Sequence, residues 1–274
     1  MTSTVTRILY QSFTDPSVHQ PYLNRLASYL GTIASPGVEF VVSGIHPADT
    51  QLGRLSELRC GIQSLAGIIE AEREGFDAVL VGHFQDSLLF EARTAVDIPV
   101  IGHGEASLHQ ACMLGGRIGL VGIDPVYIPW HREQIRRYGL ENRVVDVQTL
   151  TMSPGEAVAA FNDSNAYAQI KESFLDLARQ MVSESGVDVV MSAGGLFALL
   201  AAGDKALRID GAIIANPTLL AVKQAELAVA VAKTPGGSVS RGSTYAKASD
   251  QAIAEFMAIA AQNNSNVNEL TRSM

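Results

Sequence analysis

Cysteine is scarce in this chain: Cys60 and Cys112 are the only two in 274 residues. That excludes a disulfide-built scaffold, and no paired CxxC spacing offers a structural zinc site. Both thiols fall in segments of helical periodicity, where a cysteine is an ordinary core side chain. Positive charge is short as well, with 20 Lys and Arg against 28 Asp and Glu and a formal net charge of -8. Without a basic surplus the surface is a poor match for nucleic-acid phosphates or anionic lipid, so the expected ligand is a small molecule. No apolar run reaches the roughly 18 residues of a membrane-spanning helix. MTSTVTR leads directly into ILYQSF without the charged and apolar regions of an export signal, which makes a cytoplasmic protein the expectation.

What is present is a regular alternation. With 47% hydrophobic and 18% charged residues the chain can bury a large core. Short β-branched runs at 7–13, 38–45, 77–84, 98–104, 117–123, 143–150, 187–195 and 211–217 alternate with longer amphipathic segments, the pattern of βαβ units and parallel sheet. Leu55, Leu58, Ile62, Leu65 and Ile69 recur at three- and four-residue steps, as do Leu23, Leu26 and Leu30, and each set reads as a core-facing helical stripe.

Two stretches echo each other. Residues 74–105 and 185–217 both run Gly-x-Asp, apolar strand, turn, short helix, apolar strand and polar exit. Asp77 precedes His83 by six residues, and Asp188 precedes Gly194 by six, so His83 and Gly194 hold equivalent places. The expected fold is α/β with two pseudo-symmetric lobes, each a small parallel sheet flanked by helices, and an active site in the cleft between them. The expected lobes are 1–112 plus 212–274, and 113–211. Ligands of such sheets bind outside the carboxyl ends of the strands, which is where "VLVGHFQDS" (79–87) and "SAGGLF" (192–197) lie.

These blocks, with "IPVIGHGEASLHQACMLGGRIGLVG" (98–122), "NPTLLAVKQAE" (216–226) and "SRGSTYA" (240–246), resemble the aspartate/glutamate/hydantoin racemase superfamily, and its hydantoin racemase branch in particular. The resemblance implies a cofactor-independent enzyme, often a homo-oligomer, in which one cysteine at the end of the third strand removes a proton next to a carbonyl and a second returns one on the opposite face. The positions that correspond are His83 and Gly194. Neither holds a thiol, so the resemblance carries the fold but not a two-cysteine mechanism.

His83 is the expected catalytic base, since imidazole titrates near neutral pH and the residue ends a strand at the cleft. Backbone N–H groups over 84–87, opening a helix, and the glycine-rich Gly194, Gly195 and Leu196 would cradle an oxyanion. Phe84 and Gln85 in the first turn, Gln11 and Ser12 after the first strand, and Asn216 and Thr218 after the last are the expected substrate contacts. Tyr127, Trp130 and His131 could wall the cleft, while Arg132, Arg136 and Arg137 read as a solvated face. No cofactor is indicated, because "GGR" at 115–117 lacks the pattern of a phosphate loop.

Three readings stand open on these residues. The first is an isomerase or lyase doing one-base proton transfer beside a carbonyl of a small carboxylate or hydantoin-like cyclic amide. The second is a hydrolase of a cyclic amide or related ring, with His83 activating water directly or through a metal held with His103 and Glu105. The third is a non-catalytic small-molecule binding protein.

Overall fold

The computed structural model describes residues 5–48, 53–152, 156, 159–200, 202 and 207–273. The side chains of Leu196, Phe197, Leu200 and residues 263–273 lie outside that description. Strands buried on both faces need continuous apolar runs. AVLV and IGLVG are such runs, and β3 (Ala78–Val81) and β5 (Ile118–Gly122) are buried throughout.

The first sheet adds β1 (Thr6–Gln11), β2 (Val38–Ser43) and β4 (Val100–Gly102) in the order β2-β1-β3-β4, all parallel. The second comprises β5, β6 (Val144–Thr149), β7 (Val189–Ser192), β8 (Arg208–Ile209) and β9 (Ala212–Ala215) in the order β6-β5-β7-β9-β8. Apart from the short antiparallel β8, it repeats the arrangement of the first, as the internal echo anticipates. All eight expected strands are present.

Helices α1 (Pro16–Ile33), α2 (Arg54–Arg73), α3 (Leu89–Ala95), α4 (His103–Leu114), α5 (Ile128–Arg137), α6 (Ser164–Ser185), α7 (Gly195–Leu200), α8 (Pro217–Ala232) and α9 (Asp250–Ser273) cover the sheets. Side chains of a strand alternate between faces. Leu80 and Tyr10 therefore pack under α1 and α8 with Leu26, Leu30 and Val222, while Val79 and Val81 pack under α2, α3 and α9 with Leu65, Leu89 and Phe256. Among the described residues no helix is long and apolar enough to cross a membrane.

Three sequence expectations change. The strand at 212–215 pairs with β7 in the second sheet, so the crossing back to the first lobe falls at Asn216 and not before 212. Leu55 and Leu58 stand 82% and 49% exposed, so the α2 stripe is core only from its second turn onward. The turn after His83 does not open a helix at once. Asp86 and Leu88 adopt left-handed backbone, with φ of 53° and 55°, and α3 begins at Leu89.

Candidate active site

His83 follows β3 by two residues, and Gly194 follows β7 by two, so the repeat places them alike at the carboxyl ends of corresponding strands. The two cysteines are elsewhere, Cys60 in α2 and Cys112 in α4. The His83 ring stacks on Phe13, centroids 4.3 Å apart and planes 9° off parallel. Its Nε2 meets both carboxylate oxygens of Glu57, at 2.9 Å to Oε1 and 3.1 Å to Oε2. Ser87 Oγ donates to the same Oε1. The histidine and glutamate side chains are 20% and 13% exposed, so the pair is shielded yet reachable. Burial pushes the Glu57 carboxyl up, but the charge and hydrogen bond of His83 and the Ser87 hydroxyl outweigh it, leaving Glu57 below the usual carboxylate range. An ionised glutamate on one ring nitrogen orients the imidazole and stabilises its protonated form.

Glu57 escapes sequence reasoning. It lies 26 residues before His83, inside a helix whose periodicity advertises only packing. A carboxylate in the first turn of α2 was the one available signal.

The turn carrying His83 is held by Asp86, which is 1% exposed. Helix α4 starts immediately after β4 with Gly102 at its N-cap, so no local side chain serves its first N–H groups. Asp86 serves them from another segment: Oδ1 accepts from Gly104 N at 2.9 Å and Oδ2 from Glu105 N at 2.6 Å. The same Oδ2 accepts from Gln134 Nε2 at 3.0 Å and Tyr138 Oη at 2.6 Å, both from the second lobe. Gly104 is obligatory for this approach, because a Cβ there would collide with the Phe84 carbonyl and the Gln134 amide. Burial raises the Asp86 pKa to about 6 despite the Tyr138 and backbone donors that favour its charge.

The other expected contacts divide clearly. Gln11 Nε2 donates to the carbonyls of Ser12 (3.1 Å) and Gly44 (3.3 Å), and Ser12 Oγ accepts from Thr14 N at 3.2 Å, so both side chains serve loops. Asn216 caps α8, accepting from Leu219 N and donating to Ala198 O. Phe84 is core, with its ring against His103 and His131. Gln85 lines a cleft of about 440 Å³ between the lobes, together with Glu57, Ser87, Leu58, Trp130 and Arg137. The Arg54 guanidinium lies 5.2 Å from the Trp130 ring and pairs with Glu133 at 2.6 Å. Tyr127 and His131 are buried behind Trp130. Gly194 has φ of 134° and open space where a side chain would stand. Thr218 is buried, 3.1 Å from His103 Nε2. The side chain of Leu196 lies outside the described residues.

The three side chains of the metal reading are each engaged elsewhere. His83 bonds Glu57, His103 bonds Thr218, and Glu105 forms a two-pronged pair with Arg93. Among the described residues no three His, Cys, Asp or Glu side chains converge on a metal position. Burial keeps His103 and His131 neutral, with pKa values lowered to about 3 and about 4.

Two like-ordered parallel sheets with a histidine–carboxylate pair at the end of the third strand make this a two-lobed α/β protein with a candidate acid–base site. The family model described as Asp/Glu/Hydantoin racemase matches residues 20–225. The chain belongs to that family, which makes it a racemase-type enzyme. Among its relatives, the hydantoin racemase of Paenarthrobacter aurescens is 24% identical over 77% of this chain and 86% of its own length. That of Pseudomonas sp. (strain NS671) is 30% identical over 42% of this chain, a match spanning 52% of the relative. In structure, allantoin racemase from Klebsiella pneumoniae superposes with a TM-score of 0.73 at 20% identity, covering 89% of this chain and 94% of the other.

Proposed function

We propose that this chain is a cofactor-independent isomerase or lyase in which His83 alone moves a proton at a carbon next to a carbonyl. The observation that carries the reading is the His83–Glu57 pair at the end of β3, with a glycine and open space at the matching end of β7. The C–H bond breaks toward the imidazole, its electrons pass to the carbonyl oxygen as an enolate, and reprotonation at carbon completes the turnover. Glu57 supports the imidazolium formed on the way. The described residues supply no acid–base side chain at position 194, so the reading is a one-base reaction with solvent reaching the other face. The substrate class is a small carboxylate or a cyclic amide of the hydantoin kind, supported by the hydantoin and allantoin racemases the chain is similar to.

The test is exchange in deuterated water. A 5-monosubstituted hydantoin, allantoin and an amino acid are incubated with the protein, and loss of the α-proton signal is followed by NMR. Wild type is expected to exchange at least one, and His83→Ala to lose that exchange. Equal rates in both proteins overturn the role of His83; ligand-induced thermal stabilisation without exchange identifies a binding protein instead.

A further inference from the structure

The charged side chains that line the inter-lobe cleft are Arg54, Glu57, Glu91, Glu133 and Arg137. Two of the carboxylates are already engaged, Glu57 by His83 and Ser87 and Glu133 by Arg54. Glu91 is exposed in the first turn of α3. Arg137 stands apart. It lies in the last turn of α5, in the second lobe, and its guanidinium carbon sits 5.7 Å from the ring centroid of Phe90 in the first. Among the described residues no carboxylate or carbonyl accepts a hydrogen bond from it. Its neighbour Arg136, by contrast, pairs with Glu141 at 3.3 Å. The reading of Arg132, Arg136 and Arg137 as one solvated face therefore does not hold for Arg137, which lines the cleft.

An aromatic face steadies a guanidinium and leaves its N–H edge available, and that edge matches the two oxygens of a carboxylate. Arg54 shows the complete arrangement in the same cleft: its guanidinium lies against Trp130 and is paired with Glu133 at 2.6 Å. Arg137 has the aromatic support without the carboxylate. The cleft of about 440 Å³ is of a size for a small molecule. The chain carries a formal net charge of -8 and an ionised Glu57 at its acid–base pair, so an anionic ligand is repelled unless a fixed cation answers it.

We propose that Arg137 is a specificity-determining residue that binds a carboxylate on the substrate's side arm, away from the carbon that His83 deprotonates. The substrate class narrows accordingly to a cyclic amide bearing an acidic arm. This deepens the one-base reading of the same site and rests on it. No bond is made or broken at Arg137.

The hydantoins of glutamate and glutamine test it, because they differ by a carboxylate against a carboxamide of the same shape. Their binding is measured by calorimetry, and their α-proton exchange by NMR in deuterated water. Wild type should bind the acid about 10-fold more tightly than the amide, and added salt should narrow the gap. Arg137→Gln should remove most of that preference, through KM with kcat little changed, while Arg137→Lys should keep part of it with a point charge in place of the fork. The side chain is exposed, so melting temperatures of both variants should stay near that of wild type. Equal binding of the two hydantoins by wild type, or an undiminished preference in Arg137→Gln, overturns the proposal. The two claims separate cleanly. Acid-selective binding without exchange, or with normal exchange in His83→Ala, overturns the one-base reading and supports the anion site; exchange without selectivity does the reverse. Binding of neither hydantoin overturns the substrate class and the role of Arg137 with it.

Discussion

Replacing Asp86 by Asn should change how stability depends on pH, and the size of the change follows from the burial of the carboxylate. Its pKa rises from 3.8 to about 6 in the folded chain, chiefly through desolvation. A carboxyl with a raised folded pKa contributes most below its unfolded value and loses that contribution as pH rises through the folded one. At about 1.4 kcal/mol per pK unit, ionised Asp86 costs the folded state about 3 kcal/mol at neutral pH. Integrated between pH 4.5 and pH 7, the loss is about 2 kcal/mol. Asn does not titrate. It also offers one acceptor where the carboxylate serves Gly104 N, Glu105 N, Gln134 and Tyr138, so an offset of about 1–3 kcal/mol per unmatched donor is expected at every pH. The offset is pH-independent; the slope is the signature. Urea unfolding of both proteins at half-unit steps from pH 4.5 to 7 should show the variant gaining about 2 kcal/mol on wild type across that window. Titration of every other group cancels in the difference, so two parallel curves would refute the reasoning.

Glu57→Gln should keep the fold and lower kcat for α-proton exchange by about 10- to 100-fold, since a charge-assisted hydrogen bond worth about 1.5–3 kcal/mol becomes a neutral one; an unchanged kcat would show that Glu57 does not act through His83. Acid should destabilise the chain through His103 and His131. Both have folded pKa values lowered by burial, to about 3 and about 4, so their contribution is full above the unfolded value of 6.5 and is lost as pH falls toward the folded values. His131→Phe should flatten that acid limb in urea melts, and an identical limb in the variant would contradict the assignment.

The strands were legible because parallel strands buried on both faces must be continuous apolar runs, and β3, β5 and β7 are fully buried. The β3-α3-β4 and β7-α7-β9 stretches were legible as an echo because strand, turn and helix recur in the same succession, whereas the order of the strands within each sheet leaves no such trace. His83 was visible as a titratable residue on a strand tip. Its partner was not, since one glutamate on a helix looks like any other until the fold brings it to the ring. The cap of α4 was equally invisible: Asp86 caps the helix from 18 residues earlier, and Glu105, named in the sequence only as a candidate metal ligand, pairs with Arg93. Non-local hydrogen bonds of this kind leave no period in a sequence.

The chain passes between the lobes twice, over the residues joining α4 to β5 and again at Asn216 between β9 and α8, which packs back on α4, β3 and β4. A body tethered at two points keeps one easy motion, rotation about the line through the tethers. Asp86 lies off both crossings and grips α5 of the opposite lobe through Gln134 and Tyr138. It works as a third attachment, beside the Arg54–Glu133 pair and the apolar cluster of Phe84 and Leu108 with Leu120 and Ile135 that also span the lobes. The placing of one lobe on the other thus rests on side-chain bonds from Gln134 and Tyr138 as well as on chain connectivity.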